Sequence, residues 1–254
     1  MILAILQARL SSTRLPGKVL KKILGVPMLQ LQLERLGRVK KVDKLLVATS
    51  DRPEDRELFS LCENIGIDCF GGSLDDVLDR FYRAAGKYKP EHIVRLTGDC
   101  PLIEPEVIDR VIEYHLKGRY EYTATGLEPT FPHGVGAEVM RTEILERAWR
   151  EARLPSEREH VTPYIWKRPN QFKIGRYKNN EDLSHYRWTV DEPEDFEFVT
   201  CVYEALYPQK PDFNMADILE LLKDNPELTK INAAFSRNEG YLRSLEKDKC
   251  IEEE

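Results

Sequence analysis

The sequence predicts an α/β protein whose mostly parallel central sheet carries helices on both faces, and two observations predict it. Short, almost wholly apolar segments (MILAIL, KLLVATS, IDCF, HIVRLTGD) alternate with longer amphipathic ones as far as Gly118. Strands buried on both faces read as continuous apolar runs because crossover helices cover them on each side. The second observation is punctuation: prolines, small capping residues and glycines stand where helices should begin and end.

Taken in order, MILAIL is the first strand and PMLQLQLERLGRV the first helix, with Pro27 in its opening turn. KLLVATS follows as a strand, and RPEDRELFSLCENIG as a helix that Pro53 opens. The strand IDCF leads to the helix LDDVLDRFYRAAGKY, which Ser73 is placed to cap. HIVRLTGD is the next strand, and Pro105 with Glu106 opens PEVIDRVIEYHLKG, which Gly118 closes.

From Tyr120 the pattern changes to YEYTAT, a Gly/Pro-rich piece TGLEPTFPHGVG, helical RTEILERAWREA and EREHVTPYIWKR, strand-like FKIGRY and YRWTVD, and a helix EPEDFEFVTCVYEALY. The second half of the sheet is therefore expected to carry insertions, some of them antiparallel. Beyond Asp212 the tail reads as short helices, DFNMADILELLKDN and NEGYLRSLEKD, closing in a solvated acidic run, EEE. Neither an internal repeat nor a low-complexity linker is present.

A chain of 254 residues with 41% hydrophobic content can bury a sizeable core. Its net charge of -6 argues against coating nucleic acid, which needs a broadly basic surface. MILAIL is far too short to span a bilayer, has no basic residues ahead of it and leads to no cleavage site, so a soluble, cytoplasmic protein without membrane insertion is expected. Five scattered cysteines with no CxxC pair speak against a disulfide framework or a zinc site. The histidines show no helical metal spacing, so any metal should be a hard cation held by carboxylates.

Directly after the first strand comes QARLSSTRLPGKVL, which gathers Arg9, Arg14 and Lys18 around Ser11, Ser12, Thr13, Pro16 and Gly17. In an open parallel sheet, ligands collect beyond the carboxyl ends of the strands. The stretch is not a P-loop, because Ser12 and Val19 stand where glycine and a hydroxyl residue are needed, and it lacks the GxGxxG fingerprint. It suits a triphosphate gripped by side chains, with Arg9 and Arg14 forking onto phosphate oxygens and Lys18 as a mobile charge. Composition alone allows a solvated basic loop equally well.

The order Ala8, Arg9, Ser12, Thr13, Arg14, Leu15, Pro16, Gly17, Lys18 resembles the signature of cytidylyltransferases that activate acidic sugars, the KDO and acylneuraminate enzymes among them. The chain resembles more fully the spore coat polysaccharide biosynthesis cytidylyltransferase family, through QAR, STRLPGK, a DDVLDRF-like helix, RLTGDCPLI, HVTPY and NEGYLRSLE, from Gln7 to about Glu246. The resemblance implies a nucleotide-diphospho-sugar transferase (Rossmann-like) fold with a catalytic domain over 1–210 and a helical extension over 211–254 packed on it. It implies CTP as co-substrate, Mg²⁺, a sugar or sugar-acid acceptor and a homodimer. Ala8, Arg9, Ser12, Thr13, Arg14, Gly17 and Lys18 would then hold the nucleotide.

Nucleotidyl transfer asks the protein to neutralise charge, align the reactants and exclude water. Asp99, just past the strand HIVRLTGD and between Gly98 and Pro101, points toward the crevice; a turn aspartate capping its own backbone is the plain alternative. Asp191, before a proline-led helix, is equally an N-cap or dipole partner. The resemblance makes Asp99 and Asp191 the metal ligands, with Asp99 joining Arg14 and Lys18 in catalysis, and leaves Asp195 to the helix's first turn. By the same likeness Ser73 and Arg80 lie near the nucleotide, although Asp76 and Arg80 also fit a solvated i, i+4 pair. FPHGVGAEV offers His133 and Glu138 to the acceptor, and His160 in REHVTPY is a further candidate; a lone histidine is as readily a core residue. Two rivals remain: a sugar-phosphate nucleotidyltransferase using another nucleotide, and a non-catalytic nucleotide-binding partner of a polysaccharide assembly enzyme.

Overall fold

The computed structural model describes residues 1–237 and 239–252, without the side chains of 250–252; Cys250 and the acidic run EEE thus lie outside the described side chains. Strand and helix alternate through β1 (Ile2–Gln7), α1 (Met28–Leu36), β2 (Lys44–Ser50), α2 (Arg56–Ile65), β3 (Asp68–Gly72), α3 (Val77–Gly86), β4 (His92–Thr97) and α4 (Pro105–Gly118). The second half runs β5 (Tyr122–Ala124), β6 (Glu138–Arg141), α5 (Thr142–Glu151), α6 (Pro155–His160), α7 (Pro163–Trp166), β7 (Ile174–Arg176), α8 (Pro193–Leu206), α9 (Met215–Asp224) and α10 (Glu239–Glu252).

The seven strands form one sheet in the order β3-β2-β1-β4-β6-β5-β7. All neighbours pair in parallel except β6, which runs antiparallel to both β4 and β5. Central β1 is apolar on both faces, as a strand covered from two sides must be. Ala4 and Leu6 face a core built with α1, α2, α4, α8 and α9. Leu3 and Ile5 face a second core with α3 and α5.

Several local expectations change. YRWTVD is not a strand: only Arg187 bridges, to His133, and the segment instead lies across the end of β4 with Val190 N–H on the Asp99 carbonyl at 2.7 Å. Pro27 precedes the first turn of α1 and Pro53 opens a short 3₁₀ turn ahead of α2. Ser73 does not cap α3; Asp76 does, accepting from Asp79 N–H at 2.9 Å, while Ser73 Oγ accepts from Asp76 N–H at 3.0 Å. The stretch EREHVTPYIWKR splits into α6 and α7 because Val161 takes φ 71° and Pro163 starts a new helix.

The tail is anchored by a buried guanidinium on α1. Arg35 donates to the carbonyls of Ile103 at 2.7 Å and Phe213 at 2.9 Å and stacks on the Phe213 ring. Phe213, Ile218 and Leu222 join the core on that face. α10 lies against α6, with Asp248 accepting from Ser156 N–H at 2.8 Å.

Candidate functional site

The loop after β1 is shaped by backbone bonds before any ligand is considered. Ala8 N–H reaches the Ala48 carbonyl at 3.1 Å, and Gly17 N–H closes on the Leu10 carbonyl at 3.0 Å. Leu10 N–H donates at 2.8 Å to Asp55, a carboxylate only 1% exposed that also accepts from Thr49 Oγ1 at 2.9 Å, Ser50 N–H at 3.0 Å and Ser50 Oγ. A buried carboxylate is tolerated when donors surround it, and here it fixes the loop to the end of β2. Thr49 and Ser50 are thereby committed to Asp55, while Asp51 faces a groove over β3.

Lys18 is buried and holds three partners at once. Its Nζ donates to the Val190 carbonyl at 2.7 Å and to Asp191 at 2.9 Å, and stands 3.6 Å from Asp99. Burial works to lower the ammonium's pKa, but the charges of Asp99 and Asp191 outweigh it and hold the group above its ordinary value. Burial would likewise raise Asp99, yet Lys18, hydrogen bonds from Thr97 and Cys100, and His133 bring it down to about 2. Burial keeps the Cys100 thiol protonated, and it donates to Asp99 at 3.3 Å. Arg14 lies beside this cluster, 3.0 Å from Asp191, 3.0 Å from Glu192 and 3.4 Å from Glu239. Asp191 is not the helix cap; Asp195 takes the backbone N–H groups of Asp191 and Glu192, at 2.9 and 3.0 Å, and leaves the Asp191 carboxylate to the cations.

Gly98 is held by close approach rather than by a special backbone angle: a Cβ there would stand 2.9 Å from Ala8 Cβ and 3.0 Å from the Gln7 carbonyl. That contact lets β4 deliver Asp99 beside the loop after β1.

On the other face of the sheet lies a group of guanidinium ions. Arg80 is 1% exposed, donates to the Ser73 carbonyl at 2.9 Å and leaves Nε without a partner. Burial first, and then the neighbouring charges of Arg9 and Arg95 against partial relief from Asp55, push its pKa down to about 10. The solvated Asp76–Arg80 pair does not form; Asp76 instead ion-pairs with Arg158. Arg9 makes no ion pair among the described residues, so positive charge accumulates beside the groove of about 740 Å³ lined by Asp51, Phe70, Gly72, Ser73 and Asp79.

The expected acceptor residues fall in two places. Glu138 is half-buried and takes hydrogen bonds from Arg95, Tyr122 and Thr162, and Arg95 also donates to Gln7 at 3.2 Å. His160 feels Arg95 and Glu138, but its Nε2 bonds Ser244 on α10 at 2.8 Å, and burial leads the causes that lower it to about 4. His133 stands apart from both, sensing Asp99 and Asp191. Its loop is braced by Trp188 N–H on the His133 carbonyl at 2.7 Å. Gly134 there takes φ 112°, and a Cβ would stand 2.8 Å from the Thr189 nitrogen.

Asp99 and Asp191 approach the same ammonium, so two hard oxygen donors share one small space. No cluster of three or more His, Cys, Asp or Glu residues suited to a metal occurs among the described residues. That donor set fits Mg²⁺, which is commonly held by one or two carboxylates together with substrate phosphates and water.

Ser12 and Thr13 remain on the loop's outer side, half-buried and exposed respectively. Three residues went unnoticed in the sequence. Arg95 was visible as a charge inside an apolar strand, and Asp55 as an acid near a first helical turn. Arg237 gave no local signal, because only the folded tail brings it to the His133 loop.

These features define a nucleotide-sugar transferase fold with a cationic loop facing carboxylates at the strand ends. The chain belongs to the cytidylyltransferase family, whose sequence model matches residues 3–236. It is similar to the spore coat polysaccharide biosynthesis protein SpsF of Bacillus subtilis, at 35% identity over 233 residues, 89% of this chain and 95% of that one. Its structure is similar to that of a cytidylyltransferase from Leptospira borgpetersenii, with TM-score 0.87 and 33% identity over 93% of this chain and 99% of that one. The fold is also that of a CMP:2-keto-3-deoxy-manno-octonic acid synthetase complexed with CTP, at TM-score 0.63 and 18% identity, covering 80% of this chain and 98% of that one.

Proposed function

We propose that this protein transfers CMP from CTP to an oxygen of a sugar or sugar-acid acceptor, with release of pyrophosphate, in the assembly of a surface polysaccharide. The observation that carries this reading is the meeting of Lys18 with Asp99 and Asp191, at 3.6 and 2.9 Å, where the loop after β1 faces the end of β4. The SpsF name and the CTP complex of the synthetase neighbour support polysaccharide chemistry and CTP respectively.

In this reading Arg9, Arg14 and Lys18 hold the triphosphate, the backbone from Ala8 through Ser12, Thr13 and Gly17 shapes its seat, and Ser73 and Arg80 line the nucleotide groove. Asp99 and Asp191 would hold Mg²⁺, which when bound offsets phosphate charge and orients the α-phosphate. Asp99, depressed to about 2, stays ionised throughout the neutral range. The Lys18 ammonium, now shared among acids, can turn to the leaving phosphates as they gain charge. The acceptor oxygen bonds to the α-phosphorus as the bond to the β-phosphate oxygen breaks. His133, Glu138 and His160 border the acceptor, with Glu138 also holding Arg95. Residues 1–210 serve as the catalytic body and 211–254 as its extension, acting in the cytoplasm as a homodimer.

Pyrophosphate release from CTP in Mg²⁺, measured over a panel of sugar acids and in a cell extract with mass-spectrometric search for a CMP-linked product, tests the reading. Parallel thermal shifts with CTP, UTP, GTP and ATP should favour CTP. A larger shift with another nucleotide would move the protein to a different nucleotidyltransferase. CTP binding without any pyrophosphate release would make it a non-catalytic partner.

A further inference from the structure

Between the His133 loop and the tail lies a cavity of about 100 Å³, bordered by Thr125, Phe131, His133, Gly136 and Arg237. Two residues of its lining carry a buried polar nitrogen that has no partner. Arg237 Nε and His133 Nδ1 are both buried and without a hydrogen-bond partner. A buried polar atom left unpaired costs free energy, so two on one small cavity call for a ligand.

The charge points the same way. Arg237 spends one nitrogen on the Phe131 carbonyl at 3.0 Å. Among the described residues no carboxylate forms an ion pair with it, although Asp182 lies near enough to be felt, as does the repelling charge of Arg187. The guanidinium is also fixed in place by its neighbours along the chain. Arg187 donates to the Ser236 carbonyl at 2.9 Å, Glu239 accepts from Ser236 Oγ at 3.0 Å, and Asn232 donates to the Arg187 carbonyl at 2.9 Å. A held, unpaired guanidinium with a free Nε is a preorganised anion fork.

We propose that Arg237, delivered by the C-terminal segment, anchors an anionic group of the acceptor in this cavity and so determines which acceptors enter. The proposal rests on the acceptor side assigned above, since His133 links the cavity to Asp99 and Asp191. A carboxylate and a phosphate both satisfy the chemistry, and Gly136 lets two walls of the cavity meet closely: a Cβ there would stand 2.4 Å from Thr125 Oγ1.

The test uses full-length protein saturated with CTP and kept free of divalent metal by a chelator so that no turnover occurs, labelled with ¹⁵N so that the arginine Nε–H resonances are followed by NMR. The Arg237 signal is assigned by its loss in Arg237→Met. Acetate, inorganic phosphate, KDO and the neutral sugar mannose are titrated separately. At least one anion should shift the Arg237 Nε–H resonance while mannose leaves it in place. Arg237→Met should weaken that anion's binding tenfold or more, with Arg237→Lys restoring part of it and the CTP affinity and thermal midpoint unchanged. Acetate or KDO acting alone marks a carboxylate, and phosphate acting alone marks a phosphate; either supports the anchor. An equal response to mannose, no response to any anion, or undiminished anion binding in a folded Arg237→Met overturns it. Failure of CTP to bind while an anion still shifts Arg237 would instead sink the nucleotide reading and leave the anchor standing.

Discussion

The two halves of the crevice are built differently. The half proposed for the nucleotide rests on parallel strands β1, β2 and β4, with the loop after β1 tied to the Ala48 carbonyl and to the Asp55 carboxylate and with Asp99 just past β4. The half proposed for the acceptor is assembled from an antiparallel turnback at β6, an extended segment at 186–191 and the distant tail, and it is braced by Arg187, Asp195 and Asn232. A repeated βα pattern can fix charges for a common nucleotide, while irregular connections can vary around it.

The strongest break of this contrast is Asp99→Asn, on the hinge between the halves. Turnover of the folded enzyme should fall by about 10²–10³-fold, as expected for removal of one charged group at a phosphoryl centre, beyond the drop in thermal midpoint that loss of the pairing with Lys18 brings. Steady-state pyrophosphate release decides it. Asp55→Ala attacks the nucleotide half alone by orphaning the donors of Leu10, Thr49 and Ser50. It should cost about 3 kcal/mol in urea unfolding and weaken CTP more than free cytidine. Gly134→Ala attacks the acceptor half. Its positive φ and close backbone neighbours predict a loss of about 2 kcal/mol, with calorimetric CTP affinity retained in the folded fraction.

Acid sharpens the comparison further. His115, His133 and His160 are each lowered to about 4, burial being the leading cause. Unfolded histidine takes its proton near 6.5, so the unfolded chain binds more protons between about pH 6.5 and 4, and stability falls as pH drops through that window. Each contributes on the order of 2 kcal/mol. Asp99, shifted down to about 2, has the same sense in a lower window: its contribution is present above its unfolded value near 3.8 and is lost only as pH falls from there toward 2, so the first acid loss belongs to the histidines. Urea midpoints at pH 7, 5.5 and 4.5 check this, and replacing His133 with Gln should flatten the slope.

Legibility in the sequence followed the same division. Continuous apolar strands and amphipathic helices made the first half readable, because local periodicity and burial on both faces coincide there. YRWTVD failed as a strand because its alternation serves contacts with β4 and the His133 loop instead of a ladder. The family likeness separates Asp191 from Asp195 in role, whereas nothing near them in the chain shows their shared neighbour Arg187. Arg80 is near the nucleotide by the family likeness and equally a solvated partner of Asp76 by its spacing; its burial is a tertiary fact that decides against the solvated pair. Arg237 was silent for the same reason, 104 positions from His133 in the chain.

The central claim is that Lys18, held between Asp99 and Asp191, is poised to take up a nucleotide triphosphate. Calorimetric titration of CTP and of cytidine in Mg²⁺ into wild type and Lys18→Met tests it most directly. The account predicts that Lys18→Met loses at least about tenfold in CTP affinity, an ion-pair-sized effect, with cytidine affinity unchanged. Equal CTP affinity in the two proteins would contradict it.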